Sequence, residues 1–159
     1  MNTPLDRFKE AQDAMFSGFE TALAEIRAGR KRSHWIWYIF PQLAGLGRSS
    51  TAQLYALRDI DEACDYLRDA TLRGRLLAIT EAAAAQLEKG NPVEHLMGGT
   101  TDALKLVSCM TLFHHVSEKL DPSGTDPELS KLHQLCGDIL LAGEAQGFPR
   151  CEHTLNKVA

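Results

Sequence analysis

Apolar residues recur at helical spacing from the start of the chain. Leu5, Phe8, Met15, Phe19, Leu23 and Ile26 fall along one helix that Thr3-Pro4 opens and Gly29 closes. Trp35 to Phe40 is apolar almost throughout and is stopped by Pro41; with no strand partner elsewhere, it reads as a short helix. Ser49 or Ser50 caps a helix through Leu57, and Asp59 or Asp61 caps another carrying Ala63, Tyr66 and Leu67. Thr71 to Lys89, with Leu72, Leu76, Leu77, Ile79 and the run Ala82 to Ala85, is a strong helix former that Gly90 ends. Asn91-Pro92 starts a single turn that ends at Gly98-Gly99. Thr101 then caps an amphipathic helix to about Val116, with Leu104, Val107 and Phe113 on its apolar face. Asp126-Pro127 opens a last helix to about Leu141, and residues 143–159 read as a tail. The pattern predicts an all-α single compact domain of about seven helices, mostly short, with an ordered core over about residues 4–142.

Composition narrows the class. A chain of 159 residues that is 44% hydrophobic has enough apolar surface for one core, and no internal repeat or low-complexity linker divides it. The net charge of -4 argues against a general nucleic-acid binder. No segment approaches the roughly 18 apolar residues of a membrane span, and Met1 to Asp6 lacks the charged lead and apolar core of a leader. A soluble, cytoplasmic protein without membrane association is therefore expected. Cys64, Cys109, Cys136 and Cys151 stand singly, without a C-x-x-C pair, and read as reduced thiols.

Charge is segregated along the chain. From Ile26 to Arg58 there is no Asp or Glu, but there are six cations: Arg27, Arg30, Lys31, Arg32, Arg48 and Arg58. The same window holds both tryptophans, in Ser33-His34-Trp35-Ile36-Trp37-Tyr38, and the turn Pro41-Gln42-Leu43-Ala44-Gly45-Leu46-Gly47-Arg48-Ser49-Ser50. Cations, flat aromatic faces and free backbone amides suit a small anionic organic ligand. Trp35 or Trp37 would stack on a ring while Lys31, Arg32 or Arg48 meets phosphate; stacking of this kind contributes about 1–3 kcal/mol per base. Trp35 and Trp37 lie two apart and so point to different sides, which leaves a core role open for each. His34 is a candidate acid or base, with a core-edge or capping role as the alternative. Gly45, Gly47, Arg48 and Ser49 precede a helix start and could hold an anion, or form an ordinary loop and N-cap. The turn is neither a Walker loop nor a dinucleotide fingerprint.

A second block begins at Thr101. Asp102 and Lys105 lie three apart on a helix, and Ser108 and Thr111 follow within the next turns. Asp102 is a candidate general base or hydroxyl acceptor; its structural alternative is a first-turn carboxylate in an ion pair. Cys109 reads as a small apolar filler, and His114-His115 diverge by about 100° without a third ligand at i+4, so neither a metal site nor a cofactor is expected.

The two blocks carry a resemblance. Phe8 with Ala11-Gln12, Gly29-x-Lys31-x-Ser33-His34-Trp35-x-Trp37, Phe40-Pro41-Gln42, Gly45-Leu46-Gly47-x-Ser49, Tyr55-Ala56, Glu62-Ala63, Tyr66-Leu67 and Asp102-x-x-Lys105-Leu106-x-Ser108-Cys109-Met110-Thr111-Leu112-Phe113 resemble the pattern of domain of unknown function 1810. The resemblance implies a small, mainly α-helical protein. Some relatives carry a calpastatin label, but a calpain inhibitor of that name is a disordered repeat protein, whereas this chain is apolar and free of repeats. Relatives beside macrodomains, which bind ADP-ribose, imply a nucleotide-related role. The expectation is a pocket where the Ser33–Ser50 block meets the helix beginning at Thr101. It would bind, and in one version hydrolyse, a phosphorylated nucleoside-type ligand such as an ADP-ribose or NAD derivative, with Asp102 or His34 activating water. The alternative is a non-enzymatic interaction module that docks an acidic partner on its basic, aromatic surface. The two separate on where the tryptophans sit, beside a cleft or on an open basic patch.

Overall fold

The computed structural model describes residues 3–159. Met1 and Asn2, the first residues of the segment read for a leader, lie outside it. The chain is all-α, as the pattern predicts, but it has ten helices among the described residues rather than about seven, and three of these run for 19 to 21 residues. They are α1 (Asp6–Gln12), α2 (Phe19–Arg27), α3 (Ile36–Ile39), α4 (Ser50–Tyr55), α5 (Ile60–Arg68), α6 (Ala70–Glu88), α7 (Val93–Leu96), α8 (Thr100–Leu120), α9 (Pro127–Ala145) and α10 (Glu152–Val158). Among the described residues no helix is long and apolar enough to cross a membrane.

The N-terminal periodicity belongs to two helices rather than one. The chain breaks after Gln12, Ser17 takes a left-handed φ of 59°, and Gly18 caps α2. Gly18 passes so close to Ala14 that an added Cβ would lie 2.2 Å from the Ala14 carbonyl oxygen, so the reversal requires glycine here. Met15, at a helical position on paper, is carried outward by this break and is 84% exposed. The Tyr38 hydroxyl fixes the bend by donating to the Ser17 carbonyl at 2.6 Å.

Side chains cap α4, α5 and α9 as the sequence predicts, and Asp69 caps α6, which starts one residue ahead of the expected Thr71. The carboxylates of Asp59, Asp69 and Asp126 accept from the first free amides of α5, α6 and α9, and Ser49 does the same for α4. At α8 the cap is Gly99 rather than Thr101, and the helix runs past Val116 to Leu120. Within that extension Ser117 satisfies its buried hydroxyl by donating to the Phe113 carbonyl at 2.7 Å. The segment read as a tail contains the end of α9 and the whole of α10, which packs on α8 with Thr154 fully buried.

The core surrounds α8. Leu106, Val107, Cys109, Met110, Leu112, Phe113 and Val116 are buried around nearly its whole circumference, against α9 on one side and α5, α7 and α10 on others. A helix enclosed this way should be apolar all round. Among its polar positions Thr101, Lys105, Ser108 and Thr111 lie between its start and its middle, beside the glycine turn and the segment leading into α10.

Candidate functional site

Thr101, Lys105 and Ser108 are spaced i, i+4, i+7 and share one face of α8. That face is the floor of a cleft of about 350 Å³. Gln42 and Leu46, from the turn after α3, form one wall; Pro149 and Cys151, leading into α10, form the other; Leu104 and Val107 add apolar floor. The predicted meeting of the glycine turn with the Thr101 helix is thus present, closed on its outer side by the segment read as a tail. Two hydrogen bonds set that wall. The Cys151 amide donates to the Thr111 hydroxyl at 3.2 Å, and a His153 ring nitrogen meets the Ala44 carbonyl at 3.0 Å. The Thr111 hydroxyl itself donates to the Val107 carbonyl at 2.7 Å.

Ser108 behaves differently from the other hydroxyls of α8. Thr111 and Ser117 each donate to the carbonyl four residues back, whereas the Ser108 hydroxyl is buried without any partner. A buried hydroxyl left unpaired costs about 1–3 kcal/mol, and here it stands in the cleft floor where a bound molecule could supply the missing bond.

Beside the cleft is a cluster of charges and rings. Asp102 lies between two ammonium groups, Lys31 at 2.8 Å and Lys105 at 3.8 Å. Each lysine also lies over a tryptophan: Lys31 Nζ is 5.0 Å from the Trp35 ring centroid and Lys105 Nζ is 5.1 Å from that of Trp37. Lys31 is almost entirely buried and also donates to the Ser33 carbonyl at 2.5 Å, so its role is to bind the loop before α3 to the start of α8. Lys105 is the member that lines the cleft. Lys31, Lys105 and Asp102 together carry one positive charge, which the Glu25 carboxylate bonded to Ser33 and Trp35 balances.

Trp35 is fully buried and offers no face to a ligand. Its indole N–H donates to Glu25 at 2.9 Å. The same carboxylate accepts from the Arg32 amide at 2.8 Å, the Ser33 amide at 2.9 Å and the Ser33 hydroxyl at 2.5 Å. Burial alone would raise the Glu25 carboxyl. The hydrogen bonds from the Ser33 hydroxyl, the Arg32 amide, the Trp35 indole and the Ser33 amide outweigh it and bring the pKa down to about 2. Glu25 is the residue sequence reasoning missed, and the signal was its position as the last acid before the basic window. Trp37 is half-buried beneath Lys105, with its indole N–H hidden and unpaired.

The remaining candidates are dispersed. His34 is exposed, and its carbonyl accepts from Tyr38 at 3.3 Å. Arg48 is also exposed, its carbonyl accepting from Gln53 at 3.0 Å. Ser49 uses its hydroxyl to cap α4. An added Cβ on Gly47 would lie 2.4 Å from that of Ala52, so Gly47 is there for close packing of the turn on α4. Gly45 takes a φ of 100° and packs against His153. The structure brings Gln42, Lys105 and Ser108 together in the cleft, with Lys31, Ser33, Trp35, Trp37 and Asp102 in the cluster that supports it. It leaves His34, Arg48 and Ser49 outside the lining. Thr101, Leu46, Leu104, Val107, Pro149 and Cys151 complete the lining, the last two lying beyond the core expected to end near residue 142.

Away from the cleft, His114 stacks on His133 with ring centroids 4.1 Å apart, and no group of three His, Cys, Asp or Glu suited to a metal occurs among the described residues.

The sequence pattern of the family described as "Protein of unknown function (DUF1810)" matches residues 2–126. The crystal structure of the conserved hypothetical protein Rv1873 from Mycobacterium tuberculosis is similar to this one, with a TM-score of 0.71 and 31% sequence identity over 96% of this chain and 94% of that one. No curated protein matches the chain.

Proposed function

We propose that this chain, which belongs to the DUF1810 family, binds a small phosphorylated nucleoside-type ligand in the cleft on the Thr101–Lys105–Ser108 face of α8. The observation that carries the reading is the Ser108 hydroxyl, buried without a partner in the floor of a cleft that also holds Lys105. Lys105 supplies the charge for an anionic group, while Gln42, Thr101 and Ser108 supply polar contacts. Leu46, Leu104, Val107 and Pro149 supply apolar surface for a flat ring. A volume of about 350 Å³ is at the small end of ligand pockets and favours a mononucleotide over a whole dinucleotide.

The reading needs no hydrolytic step. Asp102 is engaged by two lysines, and His34 stands outside the lining. The interaction-module alternative gains less support, since Trp37 lies under Lys105 beside a cleft rather than open among Arg30 and Arg32.

The test is melting temperature against AMP, ADP-ribose, NAD, inorganic phosphate and sugar phosphates. A ligand at about 100 times its dissociation constant adds about 2.7 kcal/mol, which for a chain of this size is about 5–10 °C. A shift confined to the nucleotides and lost in Lys105→Gln is expected. No shift with any of these compounds, or an equal shift in Lys105→Gln, would refute the assignment.

A further inference from the structure

Three of the four cysteines are sealed in the core: Cys64, Cys109 and Cys136 are at most 3% exposed. Burial pushes the thiols of all three upward, for Cys109 and Cys136 far above the ordinary range. They are shielded and protonated, and so are poor nucleophiles. Cys151 is the exception, half-buried and lining the same cleft as Lys105 and Ser108.

We propose that Cys151 is a thiolation site for small anionic disulfides, whose retained half is accommodated by the cleft. It shares the cleft of the nucleotide reading but needs only its room and positive charge, not that ligand. The Cys151 thiol loses its proton to solvent, and the thiolate attacks one sulfur of the incoming disulfide. One S–S bond forms to Cys151 as the original S–S bond breaks, and the other half leaves as a thiolate that takes up a proton. The disulfide is the oxidant, so electrons balance without a further reagent. Two features select an anionic partner. Lys105 places a positive charge on the same cleft, and the unpaired Ser108 hydroxyl offers a donor to a carboxylate of the retained half. The Cys151 amide is tied to Thr111 and the neighbouring His153 to Ala44, which keeps this thiol on the cleft wall.

The test uses the intact protein with glutathione disulfide, which is anionic, and cystamine, which is cationic, followed by whole-protein mass and peptide mapping. A single adduct at Cys151 is expected, absent in Cys151→Ser. The ratio of anionic to cationic rates should fall about fivefold in Lys105→Gln, the effect of one charge at close range in water, and be kept in Lys105→Arg. Because each ratio is taken within one protein, the size difference between the reagents cancels. Adducts elsewhere, no adduct, or a ratio unchanged in Lys105→Gln would overturn the proposal. Adduct formation in a protein that no nucleotide stabilises would refute the nucleotide reading and leave this one standing.

Discussion

Replacing Glu25 with Gln keeps the side chain's size and removes its charge, which isolates what the carboxylate does for the loop before α3. In the native chain that group accepts from the Arg32 amide, both donors of Ser33 and the Trp35 indole. A glutamine offers one acceptor oxygen and brings two donors of its own, so at least one native donor loses its partner. Lowering the carboxyl from 4.5 to about 2 corresponds to roughly 3 kcal/mol as an upper bound. Solvent reaches part of this half-buried group, and discounting for screening leaves about 1–3 kcal/mol. The melting temperature at pH 7 should fall by about 3–10 °C. The pH dependence follows from the sign of the shift. The unfolded carboxyl binds protons near 4.5 and the folded one only near 2, so the contribution is complete above 4.5 and is lost as pH falls towards 2. Urea unfolding of both proteins at pH 6 and pH 3 should show the gap between them shrinking by about half. A gap below about 0.5 kcal/mol at pH 6, or one of equal size at both pH values, would refute the clasp.

Further outcomes are accessible to the same measurements. Asp102→Asn should cost about 3 kcal/mol by stranding buried Lys31, and adding Lys31→Met should recover at least half; an equal loss in the double variant would mean that the pair does not hold the loop. Ser108→Ala should leave stability unchanged or raise it by up to about 1 kcal/mol while weakening AMP binding, since no protein group uses that hydroxyl. A clear destabilisation would show that the hydroxyl has a partner. Burial, then the adjoining His133 and Arg150, lower the His114 pKa, so the stability it confers is present above 6.5 and is lost as pH falls below it. The pH profile of His114→Phe should be flatter than the native one over that range, and parallel profiles would exclude a role for the stacked rings.

Where sequence alone succeeded, the information was local. Asp59, Ser49 and Asp126-Pro127 mark helix starts because a side chain reaching its own next turn needs no tertiary help. The first helix divides in two although periodicity continues across the reversal, which is fixed by Gly18 meeting Ala14 and by Tyr38 reaching Ser17, contacts that no spacing rule contains. The basic window was legible as a composition anomaly, but its meaning was not. Glu25, Asp102 and Glu62, all outside it, neutralise parts of it, leaving Trp35 as core and Arg48 as surface. Ser108 and Lys105 could be named from the second block, yet the outer wall of their cleft lay in a segment whose weak periodicity said tail.

That wall also rests on one of the short helices of the fold. At seven residues α10 is shorter than the roughly 12 at which an isolated helix becomes even marginal, so its order is borrowed from α8 through Thr154 and the bonds to Thr111 and Ala44. Such a piece opens on its own equilibrium, at a free energy well below that of global unfolding. Amide exchange over residues 152–158 should therefore run far ahead of exchange in the centre of α8. Opening of that wall would widen the cleft on its outer side while the floor, on α8, stays intact.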